Sequence, residues 1–373
     1  MDTVYHCYAG AAFGLEGLVS GELKRLGACE VHAENSGVRF SASAEQLFSY
    51  NLQMHFCDRL YIILFSENCT TFDQLFNFVL AVDWSFCFSG NESIDVTCKC
   101  TRSKLMSPRD CQSITKKAVI EKIKREKGQT VFPESGPSLP IHLTIRNDVA
   151  TLMLNVSGAA LSRRGYRTWN GEAPLRETLA ASLVELSGWK PGQPLHDPCC
   201  GTGTILIEAA LIASRRAPGL DRSFAMEDYS CFRSIRFDDI RAAAASCADL
   251  SCIRRISGSD IDQEALELAG RHIRQAGISS GTIPLDQIPL QKLNLNADYG
   301  VFICNPPYGE RLSDQKYCRE LYHELNLLKR RHPTWRLCAI TSDPAFERYY
   351  GGRARKKRRL YNGRLECVYY IYD

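Results

Sequence analysis

Over the first 60 residues short apolar runs alternate with one stretch of helical spacing. In "GLEGLVSGELKRLG" the residues Leu15, Leu18, Val19 and Leu23 share one helical face, and short strands are predicted at 4–8 and 38–40. Further on, "TRSKLMSPRDCQSITKKAVIEKIKREKG" reads as a basic Ser/Pro-rich loop followed by a helix from about Asp110. Ile114, Ala118 and Ile123 form its apolar stripe, and Lys116, Lys117, Lys122, Lys124 and Lys127 occupy the remaining surface. After a Pro/Gly/Ser-rich loop at 131–140, the alternating runs "IHLTIR" and "ATLMLNVS" predict a hairpin that turns at Asn147 and Asp148. These elements fit a small α+β unit ending near residue 160. From about residue 175 the order changes to strand, glycine loop, helix, strand and helix, the alternation of a parallel α/β sheet.

A chain of 373 residues exceeds the size at which one hydrophobic core stops growing, roughly 250–300 residues, so two or three domains are expected. No apolar run approaches the roughly 18 residues that span a bilayer, and "MDTVYHCYAG" lacks the basic and apolar regions of a secretory signal. A cytoplasmic protein is the expectation. The 17 cysteines include no C-x-x-C pair, which predicts reduced, mostly buried thiols and no metal. The net charge of +4 is unevenly spread: residues 1–95, 96–160 and 161–373 carry −8, +6 and +6. Basic middle and C-terminal segments suit a polyanion, although solvated surface charge explains the same numbers.

"PLHDPCCGTGTILIEAALIA" describes a strand ending at Asp197, a tight turn through Gly201 and Gly203, and a helix amino terminus. Such a turn admits close approach of a ligand to the backbone. Leu206 stands where a dinucleotide fingerprint needs its third glycine, so the diphosphate reading fails and a plain structural turn stays open. The next strand, "IRRISGSDID", ends in Asp260 and Asp262. A carboxylate there can accept from both hydroxyls of a ribose, and Asp262 is also well placed to cap the following helix, so Asp260 is assigned to the ligand and Asp262 to the cap. A nucleoside ligand without a diphosphate loop points to S-adenosylmethionine.

The fourth strand of this pattern runs into "NPPYGERL". A methyl acceptor needs a free lone pair, which the exocyclic amine of a purine lacks because its electrons are delocalised into the ring. Two acceptors aimed at the amine protons draw the nitrogen toward tetrahedral geometry, and the Asn305 side-chain oxygen with the Pro306 carbonyl can supply them. Pro306 and Pro307 stiffen the turn, and Tyr308 can stack on a base that has left its own stack. A rigid strand-to-loop turn with Asn305 bonded to its own backbone is the alternative.

This combination resembles the class I methyltransferases that carry an N-terminal THUMP domain, most closely the RlmL-like family that methylates the N2 amine of guanine in large-subunit (23S) ribosomal RNA. The resemblance rests on "GLEGLVSGELKRLGA", "TRSKLMSPRDCQSITKKAV", "SGAALSRRGYR", "APLRETLAASL", "DPCCGTGTILIEAA", "GSDID", "NPPYGERL" and "KKRRLYNGRLEC", and so covers nearly the whole chain. It implies a seven-stranded Rossmann-like α/β methyltransferase domain at 161–373. A ferredoxin-like segment at 1–60 and an RNA-binding THUMP domain at 61–160 precede it, with a linker at 160–175. It implies that Asp197, Gly201 and Gly203 line the methionine part of S-adenosylmethionine, that Thr178 helps hold that end, and that Asp260 holds the ribose. Asn305, Pro306, Pro307 and Tyr308 become the acceptor site. Arg102, Lys104 and Arg109 become THUMP contacts to RNA, and Arg353, Arg355, Lys356, Lys357, Arg358 and Arg359 an exposed basic hairpin beside the active site. With one such motif set in the sequence, one activity is expected. One departure stands out: the family's acid for the cofactor adenine falls at Pro289, leaving a backbone carbonyl, the Leu290 N–H or a three-residue register shift to Asp286 as substitutes. "NPPY" also occurs in adenine-amine DNA methyltransferases. That activity and a non-catalytic RNA-binding assembly factor are the rival readings.

Overall fold

The computed structural model describes residues 3–84, 87, 91–128, 130–167, 175–308 and 314–373. The expected linker stretch 168–174 and the "GERL" part of the fourth-strand motif, 309–312, lie outside the described residues.

The N-terminal half consists of β1 (Tyr5–Gly10), α1 (Glu16–Arg25), β2 (Cys29–Glu34), β3 (Gly37–Ala42), α2 (Ala44–Gln53), β4 (Arg59–Asn68), α3 (Phe72–Ala81), β5 (Ser93–Thr101), α4 (Pro108–Lys127), β6 (Ser138–Arg146) and β7 (Val149–Asn155). All seven strands join one sheet in the order β2-β3-β1-β4-β7-β6-β5. Strand β4 pairs with β1 through Arg59–Ile62 and with β7 through Tyr61–Asn68, so the boundary expected between residues 60 and 61 falls inside a continuous strand. The β6–β7 hairpin turns at Asn147 and Asp148, both at positive φ (50° and 64°), the tight two-residue turn that matches strand twist. Helix α4 starts two residues before the expected Asp110. Ser107 caps it by accepting the Asp110 N–H, and Pro108 at the first helical position has no N–H to lose there.

The second half consists of α5 (Glu177–Leu186), β8 (Leu195–Asp197), α6 (Thr204–Ser214), α7 (Phe237–Ser246), β9 (Ile256–Asp260), α8 (Gln263–Gln275), β10 (Leu285–Gln287), β11 (Gly300–Cys304), α9 (Asp314–Arg331), β12 (Trp335–Thr341), α10 (Phe346–Tyr350), β13 (Lys356–Asn362) and β14 (Leu365–Tyr372). Its seven strands run β10-β9-β8-β11-β12-β14-β13, all parallel except β14. The order reverses between β8 and β11, which opens a crevice at the carboxyl ends of these two strands. Asp262 caps α8, its carboxylate accepting from the N–H groups of Glu264 and Ala265.

The insertion between α6 and β9 packs on the N-terminal half. Phe224, Met226, Tyr229 and Phe232 lie in the N-terminal core. Phe48 of α2 contacts Phe224 edge-on at 5.7 Å and Phe237 at 4.5 Å, while the Arg241 guanidinium lies 5.4 Å from the Phe48 ring. A buried polar knot closes the joint. Arg164 donates to the carbonyls of Met54 (3.2 Å), His55 (2.6 Å) and Leu161 (2.9 Å) and reaches the Glu208 carboxylate on α6 at 3.4 Å, with the Tyr166 hydroxyl donating to the same carboxylate at 3.0 Å. Glu22 accepts from the N–H groups of His55 and Phe56, and burial pushes its carboxyl up to about 7. The helix that follows the glycine loop is thereby fixed to the N-terminal half.

Candidate active site

The crevice is built from three strand ends. Asp197 closes β8 and is 1% exposed. Its carboxylate accepts the Cys199 N–H at 3.1 Å, and its pKa is pushed well above the usual carboxylate range by burial, with Asp260 adding to the rise. Asp260, half-buried at the end of β9, accepts from the N–H of Gly201 (2.8 Å) and of Asp262 (3.1 Å). Each carboxylate oxygen keeps a further lone pair for a ligand hydroxyl. The acid assigned to a ligand thus also ties down the glycine loop. Gly201 is left-handed (φ 48°), and a Cβ there would meet no atom within 4 Å, so its backbone faces open space. On β9, by contrast, a Cβ at Gly258 would lie 2.4 Å from Leu206 Cδ1 and 3.0 Å from Cys200 Cβ, which lets strand, loop and α6 close up. The motif reading passed over Gly258, although it sits in "GSDID".

Behind the loop, Arg167 donates to Thr204 Oγ1 (2.5 Å) and the Leu175 carbonyl (3.0 Å) and pairs with Glu177 at 3.6 Å, joining the amino ends of α5 and α6. Thr178 lies in that first turn of α5 and is buried, and its carbonyl accepts from Ser182. His196 in β8 lies between Ser257 Oγ (2.8 Å) and Ser259 Oγ (3.0 Å), and burial lowers its pKa to about 3, so it is a neutral core group.

Strand β11 is buried throughout and pairs with β8 through Val301–Leu195 and Phe302–His196. That register sets Ile303 level with Asp197, so Asn305 emerges two residues further along the neighbouring strand. Asn305 is half-buried, Pro306 buried and Pro307 exposed. The Tyr322 hydroxyl of α9 reaches the Pro307 carbonyl at 3.2 Å, and among the described residues no donor reaches that of Pro306. Tyr308 differs from the expected free platform. It is half-buried, and its hydroxyl donates to Asn305 Oδ1, because the turn folds the ring back toward Cys367. Burial keeps that phenol protonated, so it remains a donor. Tyr317 on α9, 47% exposed, feels Cys199 and Asp260 electrostatically and so flanks the crevice. No local motif marks it, since its place depends on how α9 crosses the strand ends.

Pro289 caps the 3₁₀ turn Leu290–Lys292 just beyond β10, while Gln287 donates to the Ile261 carbonyl and Asp286 is exposed.

The donor set fits a nucleoside bearing a cationic tail. A buried carboxyl lies next to the loop, a carboxylate with spare lone pairs stands at the next strand end, and one glycine face is open. The sequence profile described as "RMKL-like, methyltransferase domain" matches residues 164–371. The chain belongs to the RMKL-like methyltransferase family. Profiles for the RlmL ferredoxin-like domain and the THUMP domain match residues 6–61 and 69–155 of this family member. It is 36% identical to YpsC of Bacillus subtilis (strain 168), named as a candidate RNA methyltransferase, over 99% of this chain and 96% of YpsC. It is 32% identical to the ribosomal RNA large subunit methyltransferase K/L of Shewanella frigidimarina, covering 99% of this chain but 53% of that longer protein. Among solved structures, a Listeria monocytogenes protein described as a predicted N6-adenine-specific DNA methylase superposes with a TM-score of 0.93 at 36% identity, covering 100% of this chain and 96% of that one. SMU.472, a candidate methyltransferase solved with SAH, gives 0.91 at 36% identity, covering 100% and 98%.

The basic residues fall in two places. Arg102, Lys104 and Arg109 are exposed on and just after the loop that follows β5, which is anchored by buried Leu105 and by the Lys104 N–H on Asp148 Oδ1 at 2.7 Å. Residues 353–359 lead into and along β13, the edge strand. Through β14 and β12, Lys357 is level with Cys304, so the run ends at the carboxyl end of the sheet, three strands or about 14 Å from β11. Half of it is neutralised within the fold: Arg355 pairs with Asp373, Lys357 with Glu347 at 2.5 Å, and Arg359 with Glu366. Arg353, Lys356 and Arg358 have no carboxylate partner among the described residues.

Proposed function

We propose that this chain transfers a methyl group to the N2 amine of a guanine in structured RNA, with large-subunit ribosomal RNA as the substrate. One observation carries the reading: Asn305 stands at the end of β11 across the sheet's reversal point from Asp197, Gly201 and Asp260. The methyl donor is S-adenosylmethionine, which when bound supplies a methyl group on a positively charged sulfur. Asp197 and Thr178 face its methionine end, Gly201 and Gly203 give it backbone contact, and Asp260 accepts from the ribose hydroxyls. With no acid at Pro289, the Leu290 N–H or a nearby backbone carbonyl marks the adenine edge. Asn305 Oδ1 and the Pro306 carbonyl accept the two protons of the target amine and localise its lone pair. The amide oxygen has two lone pairs, so the Tyr308 hydroxyl either shares Asn305 with the amine or gives way as the ring turns to stack on the base.

RNA as the substrate is supported by the THUMP match, by the names of the relatives, and by Arg102, Lys104 and Arg109 together with Arg353, Arg355, Lys356, Lys357, Arg358 and Arg359. Residues 61–160 serve as the RNA-binding part and 161–373 as the methyltransferase part. Among the described residues no helix is long and apolar enough to cross a membrane, in keeping with a cytoplasmic site of action on ribosomal RNA. The description of the Listeria protein favours a second reading, an adenine amine in DNA, because the same two acceptors serve either amine. Competition decides between them: with labelled donor, unmodified ribosomal RNA is expected to take the label in the presence of excess duplex DNA, and label on the DNA alone would overturn the proposal.

Two further outcomes are expected. Tyr308→Phe keeps the ring and should hold RNA kcat/KM within a few-fold, whereas Tyr308→Ala loses base stacking of about 1–3 kcal/mol, roughly 5- to 150-fold, in single-turnover assays. Removing Lys356 and Arg358 should flatten the salt dependence of RNA binding by roughly one unit of slope each, in filter-binding titrations at several salt concentrations. Arg359→Ala should flatten it less, since that charge is already paired.

A further inference from the structure

The fold assembles three thiols that sequence spacing keeps apart. Cys98 and Cys100 alternate along β5 with exposed Thr97, Lys99 and Thr101, so both face α4. Cys111, on the first turn of α4, is fully buried on the opposing face. The three sulfur atoms lie within 4.8 Å of one another, and those of Cys98 and Cys100 are 3.7 Å apart. A tetrahedral zinc with bonds of about 2.3 Å sets its sulfur ligands about 3.8 Å apart, so the pair already has the spacing of a ligand edge. Half-buried Cys98 and Cys100 leave one side open to solvent, while buried Cys111 closes the other.

We propose that Cys98, Cys100 and Cys111 bind one thiophilic cation, zinc(II), with water as the fourth ligand. Three S–H bonds release their protons, three S–Zn bonds form, and no electron changes hands. The resulting centre carries one negative charge, and Arg102 and Lys104 of the adjoining loop lie close along the chain to balance it. Zinc displaces the three thiol protons as it binds, so uptake strengthens as pH rises. The ligands bracket the loop 102–107, two on the strand entering it and one on the helix leaving it. Metal would therefore fix the loop that presents Arg102 and Lys104 and orient Arg109. That consequence rests on the RNA reading, but the site itself does not.

The full chain, purified under reductant, is loaded with zinc, dialysed against metal-free buffer and analysed by elemental mass spectrometry. One equivalent is expected in the wild type and in Cys247→Ser, an exposed cysteine elsewhere, and loss is expected in Cys98→Ser and Cys111→Ser. Cobalt(II) loaded into the wild type should show a thiolate charge-transfer band, a readout that does not depend on any variant folding. Stripping the metal should weaken RNA binding and leave donor binding unchanged. If the RNA reading alone fails, stoichiometry and the cobalt band still stand. No retained zinc and no cobalt band, retention unaffected by both substitutions, or selective retention of copper(I) would each overturn the assignment.

Discussion

Asn305→Ala is expected to lower kcat for methyl transfer roughly 10²- to 10³-fold, about 3–4 kcal/mol of transition-state stabilisation, while binding of donor and RNA changes little. The substitution removes one of two acceptors that matter only when the amine nitrogen leaves the plane of its ring. In the proposed site, donor affinity rests on Asp197, Gly201 and Asp260 and RNA affinity on dispersed basic residues, so neither is expected to depend on the amide. The side chain is half-buried at the end of a fully buried strand, and its one described side-chain partner is Tyr308, so truncation leaves the fold intact. Single-turnover kinetics alongside equilibrium binding of S-adenosylhomocysteine would check both halves of this expectation. Equal losses in binding and turnover would instead make Asn305 a structural residue.

Arg164→Met is expected to cost about 3–5 kcal/mol of stability, the usual consequence of leaving a buried charge without its partner. Arg164 is 3% exposed and Glu208 0%, and the carbonyls of Met54, His55 and Leu161 would lose their donor at once. Thermal unfolding should shift down by roughly 5 °C. The pH dependence has a definite sign. Burial already raises the Glu208 carboxyl above its ordinary value, and the Arg164 charge is the main influence lowering it. Without Arg164 the folded-state value climbs further, so the folded protein binds more protons than the unfolded chain and stability falls as pH rises above the ordinary carboxyl range. The gap between variant and wild type should therefore be smallest at acid pH and widest at neutral pH. Glu208→Gln added to Arg164→Met should recover part of the loss, measurable by calorimetry across that range.

The grouping of the candidate residues at one crevice was largely legible in the sequence because short contiguous motifs carry them to neighbouring strand ends. Asn305 to Tyr308 place an acceptor side chain, a stiff Pro-Pro turn and an aromatic ring side by side in the chain, where a local motif can be read. Gly201 and Gly203 announce a loop, and Asp262 fits a helix cap, the role it has here. Features that depend on distant partners were not legible. The apolar residues of the insertion, such as Phe224 and Phe237, carry no local motif, because their contact is Phe48, far away along the chain. The basic run read as six free cations, because Asp373, Glu347 and Glu366 meet it only across the sheet edge. Strand β2 is exposed at most positions and lacks the alternation that reveals a strand. Cys98, Cys100 and Cys111 escape a search for paired ligands because two lie on a strand and the third on a helix packed over it.

The central claim is transfer to the N2 amine of guanine at the reversal point of the second sheet. Its most direct test incubates wild-type and Asn305→Ala protein with labelled S-adenosylmethionine and unmodified ribosomal RNA, digests the RNA to nucleosides and identifies the labelled product by mass. N2-methylguanosine from the wild type and none from the variant is the expected result. N6-methyladenosine as the sole product, or equal yields from the two proteins, would contradict it.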